Sequence, residues 1–182
     1  MKNIISLVDT SEAIIINDDK WQYAQSSNSE LDLTSLLEAS TSLNNLIIPF
    51  EQWLDAYNSD ENAYGIDGIN AFSVENTSDV TLLKPWLNTI SLIVLEFPLF
   101  TDGRAYSQAV EIRRHLGWQG ELRAKGHVLR DQLSHMHRCG FNSFAISEDK
   151  EPVDALKGLE GISVAYANSV TEPEPLFRRR QS

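Results

Sequence analysis

The chain has 182 residues, 42% of them hydrophobic, and a formal net charge of −11 at pH 7. That length supports one well-packed domain with an appendage, and the charge argues against nucleic acid as a main partner, because duplex binding needs clustered cations. A single cysteine, Cys139, excludes an internal disulfide and a four-cysteine zinc or iron–sulfur site within one chain.

The amino terminus lacks a secretion-signal pattern, and no apolar run approaches the roughly 20 residues that span a bilayer. We therefore expect a cytoplasmic protein with no membrane partner. Charge is unevenly placed: before residue 101 three lysines face fifteen acidic residues, whereas beyond it the two signs nearly balance. A negative outer surface with a separate positive focus fits that asymmetry.

In chain order, Ala13-Ile14-Ile15-Ile16 reads as a strand, with a hairpin to Trp21-Gln22-Tyr23. After a polar break at 26–30, residues 31–46 have a loose helical spacing. Residues 45–54, NLIIPFEQWL, predict a short strand that ends at Pro49 and enters a helix, with Phe50, Trp53, Leu54 and Tyr57 on one face. The acidic stretch 58–68 is the best boundary, which makes 1–58 a strand/helix extension packed on the core.

From Ile69 a repeating βα pattern takes over. Strands are predicted at 69–74, 91–97, 121–125, 143–146 and 162–166. Helices are predicted at 80–87, 105–116, 128–139 and 153–159, two of them stopped by Gly117 and Gly140. Ala105, Ala109, Ile112 and Leu116 form one inward stripe, and Leu129, Leu133 and Met136 another. Such alternation implies an α/β fold of repeated βα units with a parallel sheet, open or curled into a partial (β/α) barrel. The core then spans 69–167, and 168–182, closing with Phe177-Arg178-Arg179-Arg180, reads as a flexible tail.

Residues 97–141 hold all four histidines and seven of the basic residues. Two strand-to-helix junctions share one plan, Thr101-Asp102-Gly103-Arg104 and Lys125-Gly126-His127: a turn with glycine, then a basic or polar residue, then a helix. In a parallel sheet both lie at the carboxyl edge, where open α/β sheets and barrels carry their sites. Gly103 and Gly126 let the backbone turn sharply, and Arg104 supplies a planar donor for an oxyanion or carboxylate. The competing reading is that Asp102 caps the helix and Arg104 meets solvent or a local carboxylate.

Glu121, Arg123 and Lys125 alternate onto one face of a strand, so they must be paired, lie at an edge, or line a cavity. Glu96, in the most apolar strand, is an acid/base candidate or, as we favour, the anchor of an arginine. His127, Asp131 and His135 fall at four-residue steps, a spacing compatible with a metal but common on solvated helix faces; we assign no metal. Cys139 has no evident base beside it in the sequence and reads as packed. The candidate residues are therefore Asp102, Glu121 and Asp131 for proton transfer, and Gly103, Arg104, Arg123, Lys125, Gly126 and Arg130 for an anion.

The strings FPLFTDGRAYSQA, GELRAKGHVLRDQL and RCGFNSFAI resemble an uncharacterised bacterial family labelled "probable oxidoreductase", whose genes commonly lie beside those of sulfite reductase and assimilatory sulfate reduction. The resemblance runs from about Ile69 to Tyr166 and touches IIPFEQW. Asp102, Gly103, Arg104, Tyr106, Glu121, Leu122, Arg123, Arg130, Asp131, Gln132, Arg138, Cys139, Gly140 and Phe141 match its motif positions. An aspartate commonly stands there in place of His127, and His135 is usually another residue, which argues further against a metal. The resemblance implies an accessory protein of sulfite reduction in cysteine biosynthesis, with sulfite reductase as partner and a small oxyanion such as sulfite as ligand. An independent enzyme on a phosphorylated or carboxylated small molecule and a scaffold without a site are the alternatives. The sequence identifies no cofactor, and a homodimer is compatible with it.

Overall fold

The computed structural model describes residues 3–9, 12–24, 45–59, 68–147, 149–159 and 167–179. Its centre is one eight-stranded mixed sheet, curled as a half barrel, in the order β2-β1-β8-β7-β6-β5-β4-β3. The strands are β1 (Ile4–Asp9), β2 (Glu12–Ile16), β3 (Gln22–Tyr23), β4 (Leu46–Pro49), β5 (Ala71–Val74), β6 (Leu92–Phe97), β7 (Glu121–Gly126) and β8 (Ser143–Ala145). From β3 to β8 the strands are parallel and adjacent in chain order; for β5 to β8 this is what the βα pattern from Ile69 predicts.

The sheet is not parallel throughout. β1 runs antiparallel beside β8, pairing Ile4 with Ala145 and Ser6 with Ser143, and β2 closes the sheet as the antiparallel partner of β1. The predicted hairpin between 13–16 and 21–23 is thus corrected: β2 pairs with β1, whereas β3 joins β4 in parallel at the far end. The predicted helix over 31–46, apart from its last two positions, and the strand over 162–166 lie outside the described residues.

The helices are α1 (Phe50–Ser59), α2 (Arg104–Val110), α3 (Leu133–Cys139), α4 (Pro152–Leu156) and α5 (Leu176–Arg179), with short 3₁₀ turns at Val80–Trp86 and Arg130–Gln132. α2 continues into a π-helical turn at Glu111–His115, where the amide of Leu116 donates to the carbonyl of Glu111. None of the described helices is long and apolar enough to cross a membrane.

Period-two alternation divides the sheet's side chains between two environments. Ile5, Ile48, Phe72, Ile93, Leu95, Phe97, Leu122 and Phe144 join the helices in the main core. Pro49 ends β4 as predicted, and Phe50 and Trp53 of α1 are buried there. Trp86 meets the Trp53 ring edge-on at 4.8 Å between centroids, and Tyr57 stacks on Trp53 at 5.2 Å. Ala105, Ala109 and Ile112 are fully buried, as their spacing predicts.

The opposite face carries a small second core of Ile47, Ala71, Leu92 and Val94 under Trp21. Beyond that apolar patch it turns polar. Register places Glu121 beside Leu92, Arg123 beside Val94 and Lys125 beside Glu96, all on this face.

The helix predicted over 128–139 starts later: the 3₁₀ turn opens at Arg130 and α3 at Leu133. Leu129, expected inward, precedes the helix and is exposed, while Leu133 and Met136 are fully buried. Segment 167–172 packs on the end of α3, with the Val170 amide donating to the Arg138 carbonyl at 2.9 Å and Ser169 buried.

Candidate functional site

At the carboxyl edge, three chain segments meet around Asp102. Its carboxylate accepts from Arg104 Nη2 at 2.6 Å and Nε at 3.0 Å, and from Asn76 Nδ2 at 2.6 Å in the loop after β5. The Arg104 amide adds a 3.2 Å bond to the same carboxylate. Gln108 of α2 ties this helix to that loop by donating to the carbonyls of Glu75 and Ser78 at 2.8 and 2.9 Å. Glu51 of α1 in turn accepts from the Glu75 amide at 3.0 Å and from the Ser78 hydroxyl.

The outcome is a guanidinium held from one side and open on the other. The Arg104 side chain is 57% exposed, and its Nη1 makes no hydrogen bond among the described residues. Hydrogen bonds from Arg104 pull the Asp102 pKa down to about 2. A carboxyl group that acidic is a poor proton shuttle near neutral pH; its evident work is to orient Arg104.

A depressed carboxyl pKa adds stability that is complete above the ordinary value of 3.8 and lost as pH falls through about 2. Asp102→Asn should therefore flatten the pH dependence of the melting temperature across that window, measured by circular dichroism. An unchanged profile would show that the Arg104 pair contributes nothing to folding.

The three charged residues of β7 are paired, and the strand is interior, flanked by β6 and β8, not an edge. The Arg123 side chain is 1% exposed. It donates to Asp19 at 2.5 Å, to Glu121 at 2.7 Å and to the Ser143 hydroxyl at 3.1 Å. Burial works to lower the Arg123 pKa, but the hydrogen bonds and charges of Asp19 and Glu121 outweigh it and leave the pKa raised. Such a sealed cation is a structural pin for the sheet face.

Lys125 meets Glu96 at 3.4 Å and sits 3.7 Å from the centre of the Tyr23 ring. Glu96 is thus an anchor, as expected, but for a lysine and not for an arginine. The Tyr23 hydroxyl is buried without a hydrogen-bond partner among the described residues. Burial, then the Glu96 charge, pushes its pKa well above the usual phenol value, so it keeps its proton.

Arg130 pairs with Asp154 of α4 at 3.1 Å and lies with Asp131 on a cleft of about 480 Å³ between the β7 and β8 loops. The other charged walls are Asp149, Lys150, Glu151 and Asp154, so the cleft carries four carboxylates against two cations. Gly126 has φ +101°, and a Cβ there would stand 2.3 Å from the Phe97 carbonyl oxygen. Its glycine is dictated by backbone packing. Gly103, in contrast, has φ −88° and an open neighbourhood.

The proton-transfer candidates do not share one pocket. Asp102 and Asp131 belong to the carboxyl-edge loops, while Glu121 begins β7 at the amino edge; at about 3.3 Å per residue, five residues separate those ends by about 16 Å. His127 precedes the α3 region and so cannot share a helix face with Asp131 and His135. No cluster of three or more metal-ligating side chains exists among the described residues. Cys139 does have a base nearby, contrary to its sequence reading: His135 Nε2 is 3.8 Å from its sulfur, and Tyr106 packs on the His135 ring at 4.8 Å. Burial nevertheless pushes the thiol pKa up, which favours the unreactive form.

Asn76, Gln108, Asp19 and Tyr23 escaped the sequence reading. Gln108 carried one usable signal, a polar residue beside the Ala105/Ala109 stripe. Asp19 and Arg123 are 104 residues apart, and no local pattern joins them.

Sheet, helices and carboxyl-edge loops together define a mixed α/β half-barrel protein. Within that class the chain belongs to a bacterial protein family of unknown function, DUF934, whose model matches residues 71–177. No curated protein and no solved structure matches the chain.

Proposed function

We propose that the protein is an accessory component of assimilatory sulfite reduction, in cysteine biosynthesis, that offers an oxyanion-binding edge and docks on sulfite reductase. Its place in sulfur assimilation rests on the resemblance to the family encoded beside sulfite reductase. The observation that carries the molecular reading is the Asn76–Asp102–Arg104 arrangement, which aims an exposed guanidinium outward from the carboxyl edge. Arg123 is withdrawn from that role by its sealed pairing, and Arg130, though exposed, faces a cleft with four carboxylates that disfavours an anion.

Dispersal of Asp102, Glu121 and Asp131 favours an accessory role over an autonomous acid–base enzyme. Leu99 and Phe100, 58% and 55% exposed in the loop that leads to Asp102, supply apolar contacts of the kind that anchor interfaces. The nearby acidic cleft favours a partner with basic residues there.

The test is a deletion strain grown with sulfate or sulfite as sole sulfur source. We expect poor growth that cysteine rescues and that wild-type protein, but not Arg104→Ala, restores. Failure of cysteine to rescue would move the protein to another pathway; full complementation by Arg104→Ala would remove the site.

A further inference from the structure

The least expected charge in the molecule is Arg113, in the π-helical turn after α2. It is 8% exposed, yet no described aspartate or glutamate pairs with it. Buried cations ordinarily face a carboxylate, because desolvation is costly without one. Here Nε donates to the Gly140 carbonyl at 2.8 Å and Nη1 to the Trp118 carbonyl at 2.9 Å, and the guanidinium lies 5.3 Å from the Trp118 ring. Burial pulls the Arg113 pKa down to about 10. Two neutral carbonyls and a ring offset only part of that penalty, and Nη2 makes no hydrogen bond among the described residues.

Arg113 is also one wall of a cavity of about 190 Å³, shared with Gln119, His137, Asn142, Val170 and Thr171. No carboxylate among the described residues lines the cavity, and Glu172, next to Thr171 in the chain, is not among its walls. Arg114 and His115 end the same turn, and His137 and Arg138 end α3; the one acidic residue of the turn, Glu111, is held by His115 at 2.5 Å. The Thr171 hydroxyl, 3.1 Å from that of Ser169, provides a neutral donor at the rim. The volume is below the roughly 300–1,000 Å³ of pockets for drug-sized ligands and suits a small ion with a few waters.

We propose that this cavity is a binding site for a small inorganic oxyanion of the sulfate or phosphate type, with Arg113 as its charge partner and Thr171 as a hydrogen-bond donor. The site lies near the amino ends of β7 and β8, at the opposite edge of the sheet from Arg104, and is independent of the carboxyl-edge reading.

Full-length protein titrated with sodium sulfate, phosphate and sulfite, against sodium chloride at matched ionic strength, provides the test by thermal shift and calorimetry. A saturable rise in melting temperature with an oxyanion and not with chloride is expected. The titration is repeated in the Arg104→Ala background, which removes the carboxyl-edge site of the proposed function; the rise that remains there should be abolished by Arg113→Met and its apparent affinity weakened about tenfold by Thr171→Val. Because Arg113→Met also removes two carbonyl contacts, Thr171→Val decides the matter if that variant fails to fold. No oxyanion-selective rise in the Arg104→Ala background, or one unchanged there by Thr171→Val, would overturn the proposal.

Discussion

Arg123→Met should lower the unfolding free energy by about 3–5 kcal/mol in urea denaturation at neutral pH. The reason is the group left behind. Asp19 is 4% exposed and loses the cation that compensates it, and a buried charge stripped of its partner typically costs that much. The double variant Asp19→Asn/Arg123→Met should recover part of the loss, since it removes both charges. A cost below about 1 kcal/mol for Arg123→Met would mean that water reaches Asp19 and that the polar face of the sheet is open.

Gly126→Ala should cost about 2–4 kcal/mol, again without touching a ligand. The φ of +101° strains any residue with a side chain, and the new Cβ would press on the Phe97 backbone at 2.3 Å, which only movement of β6 or β7 can relieve. Gly103→Ala provides the contrast: with φ −88° and its closest neighbour a Tyr106 ring carbon at 3.8 Å, it should stay within about 0.5 kcal/mol of wild type. Chemical denaturation of the two variants side by side checks both. Equal stabilities would return Gly126 to the role of a ligand-approach residue.

The contrast between those glycines shows what the sequence could convey. Both stand in similar junctions, and only the neighbouring strand distinguishes them. The parallel run β5 to β8 was legible because each strand is joined to the next by a local crossover with its own periodicity. β1 was not, since its partners β8 and β2 make it antiparallel through a contact that spans most of the chain. The aspartate–arginine pair at 102 and 104 is a neighbour interaction and could be anticipated. Whether Arg123 was paired, at an edge or lining a cavity depended on Asp19, and no local pattern separates Arg113 from Arg114 beside it.

The π-helical turn sets Arg113 apart from Arg114 and has a consequence for the chain's history. A π turn amounts to an α-helix carrying one surplus residue, and its wider coil advances each side chain through a smaller angle. Ile112 and Arg113, consecutive residues, can therefore both turn inward. Removing one residue between Glu111 and His115 would restore regular α-helical bonding while rotating the guanidinium away from Gly140. The inward address of Arg113 is thus written in the length of the segment as much as in its lettering, and close relatives that lack the surplus residue should also lack a buried arginine there.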